Sequence, residues 1–238
     1  MKTMPEAGAD RTARPQPLHC VKCLCYGDHG KDIDCSADVV LRGYSGCNTR
    51  WAARVLERAV ASIPRPVRAV TVFFGANDAA LRDRASKLQH LRTQPHFLIG
   101  LTSRDPAACA LFQNRWPSVV VILITPPPVD EDGRLRYPYA HDSSGLPERT
   151  NAAAGRYARA CVDVARRCGV RAIDIWSRMQ KFPGWEKTFL RSHLTPSGSR
   201  VLFEEVVFAG PVRAVTVFFG ANDAAQSDRD SSRRSNIF

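Results

Sequence analysis

A chain of 238 residues, 44% of them hydrophobic, holds material for one large core, and no run in it is long and apolar enough to cross a bilayer. Its 34 Lys and Arg outweigh 23 Asp and Glu by a net charge of +11, but the arginines are scattered through every segment instead of gathered on a stripe, which marks a solvated surface and argues against a nucleic-acid partner. The first residues lack the apolar centre of a secretory signal, so a cytoplasmic chain with no membrane attachment is expected, and its eight cysteines (Cys20, Cys23, Cys25, Cys35, Cys47, Cys109, Cys161, Cys168) are expected as free thiols.

Residues 1–17 are polar, contain proline and show no periodicity, so they read as a loose arm. Leu18 to Tyr26 turns apolar and meets Gly27-Asp28-His29-Gly30, a short strand followed by a turn. Cys20, Cys23 and Cys25, with His19, His29 and Cys35 close by, have the donor types of a zinc knuckle. No second CxxC pair follows, so the preferred reading is small buried thiols in a strand, with no metal. Ala37 to Gly43 is the next strand and Tyr44 to Thr49 the turn after it. Trp51, Val55, Leu56, Ala59, Val60 and Ile63 then recur at helical spacing, with Asn48 or Thr49 as the cap and Pro64 beyond the end.

The next strand lies in Pro66 to Ala80, PVRAVTVFFGANDAA. Val70, Thr71, Val72, Phe73 and Phe74 are β-branched or aromatic and the run is apolar on both faces, as in a buried parallel strand. Gly75 ends it. In an open parallel sheet the carboxyl ends of the strands form the ligand crevice, which puts Asn77 and Asp78 where chemistry is done; equally, the pair could serve to turn the chain or cap a helix.

Gln89 to Asp105 fits neither the helical nor the strand period and reads as an insertion. Ser118 to Thr125 is a further apolar strand, stopped by Pro126, Pro127 and Pro128. From Thr150 a helix carries Tyr157, Cys161, Val164 and Cys168 on one face and closes at Gly169, and Arg171 to Ile175 is the last internal strand. Thr195 and Pro196 are a cap and a first-turn proline for a helix with Val201, Leu202, Val206 and Ala209 inward, stopped at Gly210-Pro211.

Pro211 to Ala225 then repeats Pro66 to Ala80 without a change. No partner turn or histidine follows this second copy, so Asn222 is given no catalytic role. If the strand at 19–26 fails to pair, the duplicate at 212–219 fits the gap, because its apolar faces suit any central parallel position. The alternation of strands and helices predicts an α/β fold with a mostly parallel sheet and helices on both faces. The expected organisation is an arm at 1–17, one domain over 18–209, and a duplicated strand with a disordered tail at 210–238.

Three short pieces stand at the ends of elements: Gly43-Tyr44-Ser45-Gly46, Gly75-Ala76-Asn77-Asp78, and His193-Leu194-Thr195-Pro196-Ser197-Gly198. Together with ILITPPPVDE and LPERTNAAAG they resemble the SGNH, or GDSL-type, hydrolases, above all the branch similar to isoamyl-acetate-hydrolysing esterases. The resemblance implies a three-layer, flavodoxin-like α/β sandwich and a serine hydrolase of small carboxylic esters, needing no cofactor and taking a small-molecule ester as its partner. It implies an oxyanion hole made by the Gly46 backbone N–H and the Asn77 side-chain amide, with His193 as general base.

Two departures accompany the match. Where the family has Gly-Asp-Ser after its first strand, this chain has Gly27-Asp28-His29, so His29 stands at the expected serine position and no hydroxyl nucleophile is identifiable. Where the family has an Asp three residues before the histidine, this chain has Leu190. His193 is thus expected without either triad partner, and ester hydrolysis is expected to be weak or absent.

Overall fold

The computed structural model describes residues 48–63, 67–81, 107–136, 145–190, 194–208 and 216–219. In chain order the elements are α1 Thr49–Ala61, β1 Ala69–Phe73, α2 Ala107–Arg115, β2 Val120–Ile124, α3 Glu131–Arg136, α4 Asn151–Cys168, β3 Arg171–Ile173, α5 Ile175–Met179, α6 Trp185–Phe189, α7 Pro196–Phe208 and β4 Thr216–Phe219. The strands form one sheet in the order β3-β2-β1-β4, and every neighbouring pair is parallel.

Pleating sends successive side chains to opposite faces, and each face finds its own helices. Val70, Val121 and Leu123 pack beneath Leu56 and Val60 of α1, Cys109 and Phe112 of α2, and Cys161 and Val164 of α4. Phe73, Ile122, Ile124 and Ile173 face the other way, onto Met179 of α5, Phe189 of α6 and Leu202 of α7. The result is the expected three-layer α/β sandwich with a parallel sheet at its centre. Because both faces of β1 and β2 are covered, their sequences run apolar without alternation.

The helix signals of α4 and α7 are made by side-chain oxygens and by a positive-φ glycine. Thr150 Oγ1 accepts the Ala153 N–H at 3.1 Å to start α4, and Gly169, at φ 64°, ends it by donating its N–H to the carbonyls of Ala165 and Arg166. Thr195 Oγ1 accepts the Gly198 N–H at 3.1 Å, one residue ahead of Pro196, which opens α7.

Two strand boundaries differ from expectation. The strand expected over 118–125 covers Val120–Ile124, because Val119 donates its N–H back to the Trp116 carbonyl in a turn. The strand expected over 171–175 stops at Ile173, because Asp174 accepts the Ser177 N–H and caps α5, drawing Ile175 into a helix. The short helices α3, α5 and α6 carry too few turns to leave a periodic signal in the sequence. The strands at 18–26 and 37–43, the cysteine cluster at 20–35, the insertion at 89–105 and the tail beyond residue 219 lie outside the described residues.

The duplicated stretch enters the sheet. β4 lies parallel to β1 on the edge away from β2, with Ala69 opposite Thr216 and Val72 opposite Phe219. Thr216 is the repeat's counterpart of Thr71, so the two copies pair with a slip of two residues, and an even slip preserves which face each residue occupies. A chain ending at Phe208 lacks β4. Its thermal unfolding midpoint is expected to fall by about 2–8 °C, the effect of ~1–2 kcal/mol in a domain of this size. An unchanged midpoint would show that the duplicate adds no stability.

Candidate functional site

The carboxyl ends of β1 and β2 meet at Gly75 and Pro126. A Cβ at Gly75 would lie 3.0 Å from two ring carbons of Pro126, and the backbone there has φ 107°, so close approach and a left-handed conformation both call for glycine. Beyond it Ala79 donates its N–H to the Gly75 carbonyl at 3.0 Å, closing a turn that holds Asn77 and Asp78, 6% and 3% exposed.

The two residues of this turn have different tasks. Asp78 accepts the Thr49 hydroxyl at 2.6 Å and the Thr49 N–H at 3.1 Å on Oδ1, with Oδ2 a further 3.2 Å from the same N–H. It thereby satisfies the buried N–H of Thr49 in the first turn of α1, from a position 29 residues away in sequence. Burial raises the Asp78 carboxyl above its ordinary 3.8, and the hydrogen bonds from Thr49 oppose that rise.

Asn77 turns to a different partner. Its Oδ1 accepts a hydrogen bond of 2.7 Å from Arg149 Nη2. Arg149 is itself 2% exposed and is brought there by backbone contacts: an antiparallel bridge joins Ala80 to Arg149, and Leu81 donates its N–H to the Glu148 carbonyl at 2.8 Å. Glu148, also buried, lies 3.2 Å from Arg134 Nη1. A guanidinium has only donors, so the amide of Asn77 must face it with oxygen, and its Nδ2 is the end directed elsewhere.

A second polar set joins the ends of β2 and β3. Thr125, fully buried, accepts the Trp176 N–H on Oγ1 at 3.1 Å. The Trp176 indole N–H reaches Asn151 Oδ1 at 2.9 Å, and Asn151 Nδ2 donates to Gln180 at 2.7 Å. This lattice ties the start of α4 to α5 and steadies the segment that delivers Arg149.

Of the residues expected at the site, Asn77 lies at the strand edge as anticipated. Gly46, His29 and His193 lie outside the described residues. The position expected to hold the acid is informative: Leu190 is 5% exposed, packs in the apolar cluster with Phe189, Leu194 and Leu202, and forms an isolated bridge with Leu194. Two of the described cysteines, Cys109 and Cys161, are not ready nucleophiles. Burial pushes Cys109 and Cys161 up to about 12, with the nearby Cys168 adding to the shift at Cys109, so neither is a thiolate at neutral pH. Arg149 was not recognised from sequence, since an arginine just before a helix cap resembles the many surface arginines around it.

Residues 29–201 match the GDSL-like lipase/acylhydrolase family. This chain belongs to that family. It is 48% identical over 176 residues to a GDSL esterase/lipase of Arabidopsis thaliana, with 71% of each chain covered. A second GDSL esterase/lipase of that plant is 42% identical over 177 residues, again covering 71% of each. An isoamyl acetate-hydrolyzing esterase 1 homolog of Bos taurus is 40% identical over 174 residues, covering 71% of this chain and 67% of its own. Among the described residues of this GDSL-family chain, no helix is long and apolar enough to cross a membrane.

Asp78→Ala is expected to destabilise the protein by ~1–3 kcal/mol, since it leaves the buried Thr49 N–H and hydroxyl without their acceptor. Asp78→Asn keeps one acceptor and should cost less. The raised folded-state pKa means that the native state holds its proton more tightly than the unfolded chain does. The Asp78 contribution is therefore fully present below pH 3.8 and is lost as pH rises through the folded value. Urea unfolding across that window should show stability falling with pH at this group, and Asp78→Asn should remove that part of the slope.

Proposed function

We propose that this GDSL-family chain receives small carboxylic, acetate-type esters at the carboxyl edge of its sheet and hydrolyses them weakly or not at all. In this reading the Asn77 Nδ2 and the Gly46 backbone N–H are the donors that meet the ester oxygen, and His193 is a general base without a partner on either side. His29 occupies the place of the nucleophilic serine. The observation that carries the proposal is Leu190: a buried aliphatic side chain in an apolar cluster can neither orient an imidazole nor stabilise an imidazolium. Support for the ester-binding half comes from Asn77, whose amide is held by a buried arginine at 2.7 Å and so remains a built feature of the strand edge.

Geometry of this kind supplies part of a hydrolase. One oxyanion-hole donor lowers the barrier by about 3–4 kcal/mol, and binding with the oxyanion hole alone leaves roughly 10³–10⁴ over the reaction in water when the triad is lost. Purified protein is therefore expected to turn over p-nitrophenyl acetate no faster than that, with His193→Ala making no difference. Turnover at ordinary esterase rates that His193→Ala abolishes would overturn the proposal.

A second reading, a purely ester-binding protein with no chemistry, is favoured by the same retained amide without a triad acid. Saturating ethyl acetate should raise the thermal midpoint of the unaltered chain and leave that of Asn77→Ala in place. No shift in the unaltered chain would exclude this second reading.

A further inference from the structure

We propose that Arg149 is a positioning residue for Asn77: its guanidinium locks the orientation of the Asn77 amide, so that Nδ2 and not Oδ1 is offered to the oxygen of a bound ester or carboxylate. The ligand half of this proposal rests on the ester-binding reading above; the orientation half rests on geometry alone.

An asparagine amide is nearly symmetric in shape, and turning it by 180° exchanges a donor for an acceptor. At an oxyanion site that exchange is decisive, because an oxygen facing an oxygen repels where an N–H would bind. Arg149 resolves the choice. Its Nη2 lies 2.7 Å from Asn77 Oδ1, within the range of a charge-assisted bond, and a guanidinium has no acceptor with which a flipped amide could pair. A flip would set N–H against N–H in a site where Arg149 is 2% exposed and Asn77 6%, with little water to relieve it.

The two residues are also fixed relative to each other by backbone. Ala80, three residues after Asn77, bridges to Arg149 itself, and the Leu81 N–H bonds to the Glu148 carbonyl at 2.8 Å. The turn that carries the amide is thus the turn that grips the arginine. Glu148, the adjacent carboxylate, is engaged by Arg134 at 3.2 Å. A cation donating into Oδ1 also draws electron density from the amide and makes Nδ2–H a stronger donor, which favours an anionic or developing anionic oxygen over a neutral one.

A merely structural tie between the turn and the start of α4 would affect stability but not the chemistry of the amide, and the two roles separate by experiment. The side-chain NH₂ signal of Asn77 is identified in a ¹⁵N spectrum of the full chain by its disappearance in Asn77→Ala, and its response to sodium acetate is followed. Arg149→Met keeps most of the aliphatic stem and removes the donors; Arg149→Lys keeps the charge but loses the planar fork. In Arg149→Met the Asn77 NH₂ signal is expected to shift and acetate affinity to fall about tenfold, as for one charge-assisted contact. Arg149→Lys is expected to change both in the same direction but less, and it carries the test if Arg149→Met does not fold. A folded variant of either kind with the Asn77 signal and the acetate affinity of the unaltered chain would overturn the proposal. If acetate leaves the unaltered chain's spectrum unmoved, the ester-binding reading fails, and the NH₂ signal of the variants still decides the orientation half.

Discussion

The structure around the strand edge depends on a buried carboxylate. Asp78 has been removed from water and its proton affinity has risen accordingly, yet it accepts both donors of Thr49 and so closes the open end of α1. Helix ends leave unpaired N–H groups, and an end buried against a sheet needs an acceptor from somewhere. Here the acceptor comes from the turn that leaves β1. The arrangement forces α1, β1 and the turn between Gly75 and Ala80 to keep one mutual geometry, because releasing any of them strands polar atoms in a place without solvent.

That constraint explains why neighbouring residues of similar chemistry have separate roles. Asp78 looks toward α1 and is consumed by capping. Asn77 looks toward Arg149, which is carried by the segment that enters α4 and is joined to the same turn through Ala80 and Leu81. Both polar links converge on a few residues beyond Gly75, where any side chain would be strained by the positive φ and crowded against Pro126. The strand edge is therefore held from two sides, by a helix start and by a helix approach, and the amide of Asn77 gains its direction from that enclosure.

The same division between polar links and apolar packing runs through the GDSL-family fold. The sheet is stabilised by apolar burial on both faces, through Val70, Val121 and Leu123 on one side and Phe73, Ile122 and Ile124 on the other. None of these is a catalytic group. Leu190 joins the core beside Phe189 and Leu202, where an apolar side chain adds burial and an unpaired carboxylate would carry a desolvation cost.

Local chemistry in the sequence determined the strands at 69–74 and 118–125 to within a residue or two, the α4 helix between Thr150 and Gly169, the start of α7 at Thr195 and Pro196, and the layered α/β class, because each rests on periodicity or on a cap within a few residues. It also placed Asn77 at the end of a parallel strand. Only tertiary structure decided what Asn77 and Asp78 each do, since their partners, Thr49 and Arg149, lie 29 and 72 residues away. It alone seated the duplicate Thr216–Phe219 beside β1 with a slip of two residues. The physical reason is that a role set by a partner remote in the chain is contained in no window of sequence.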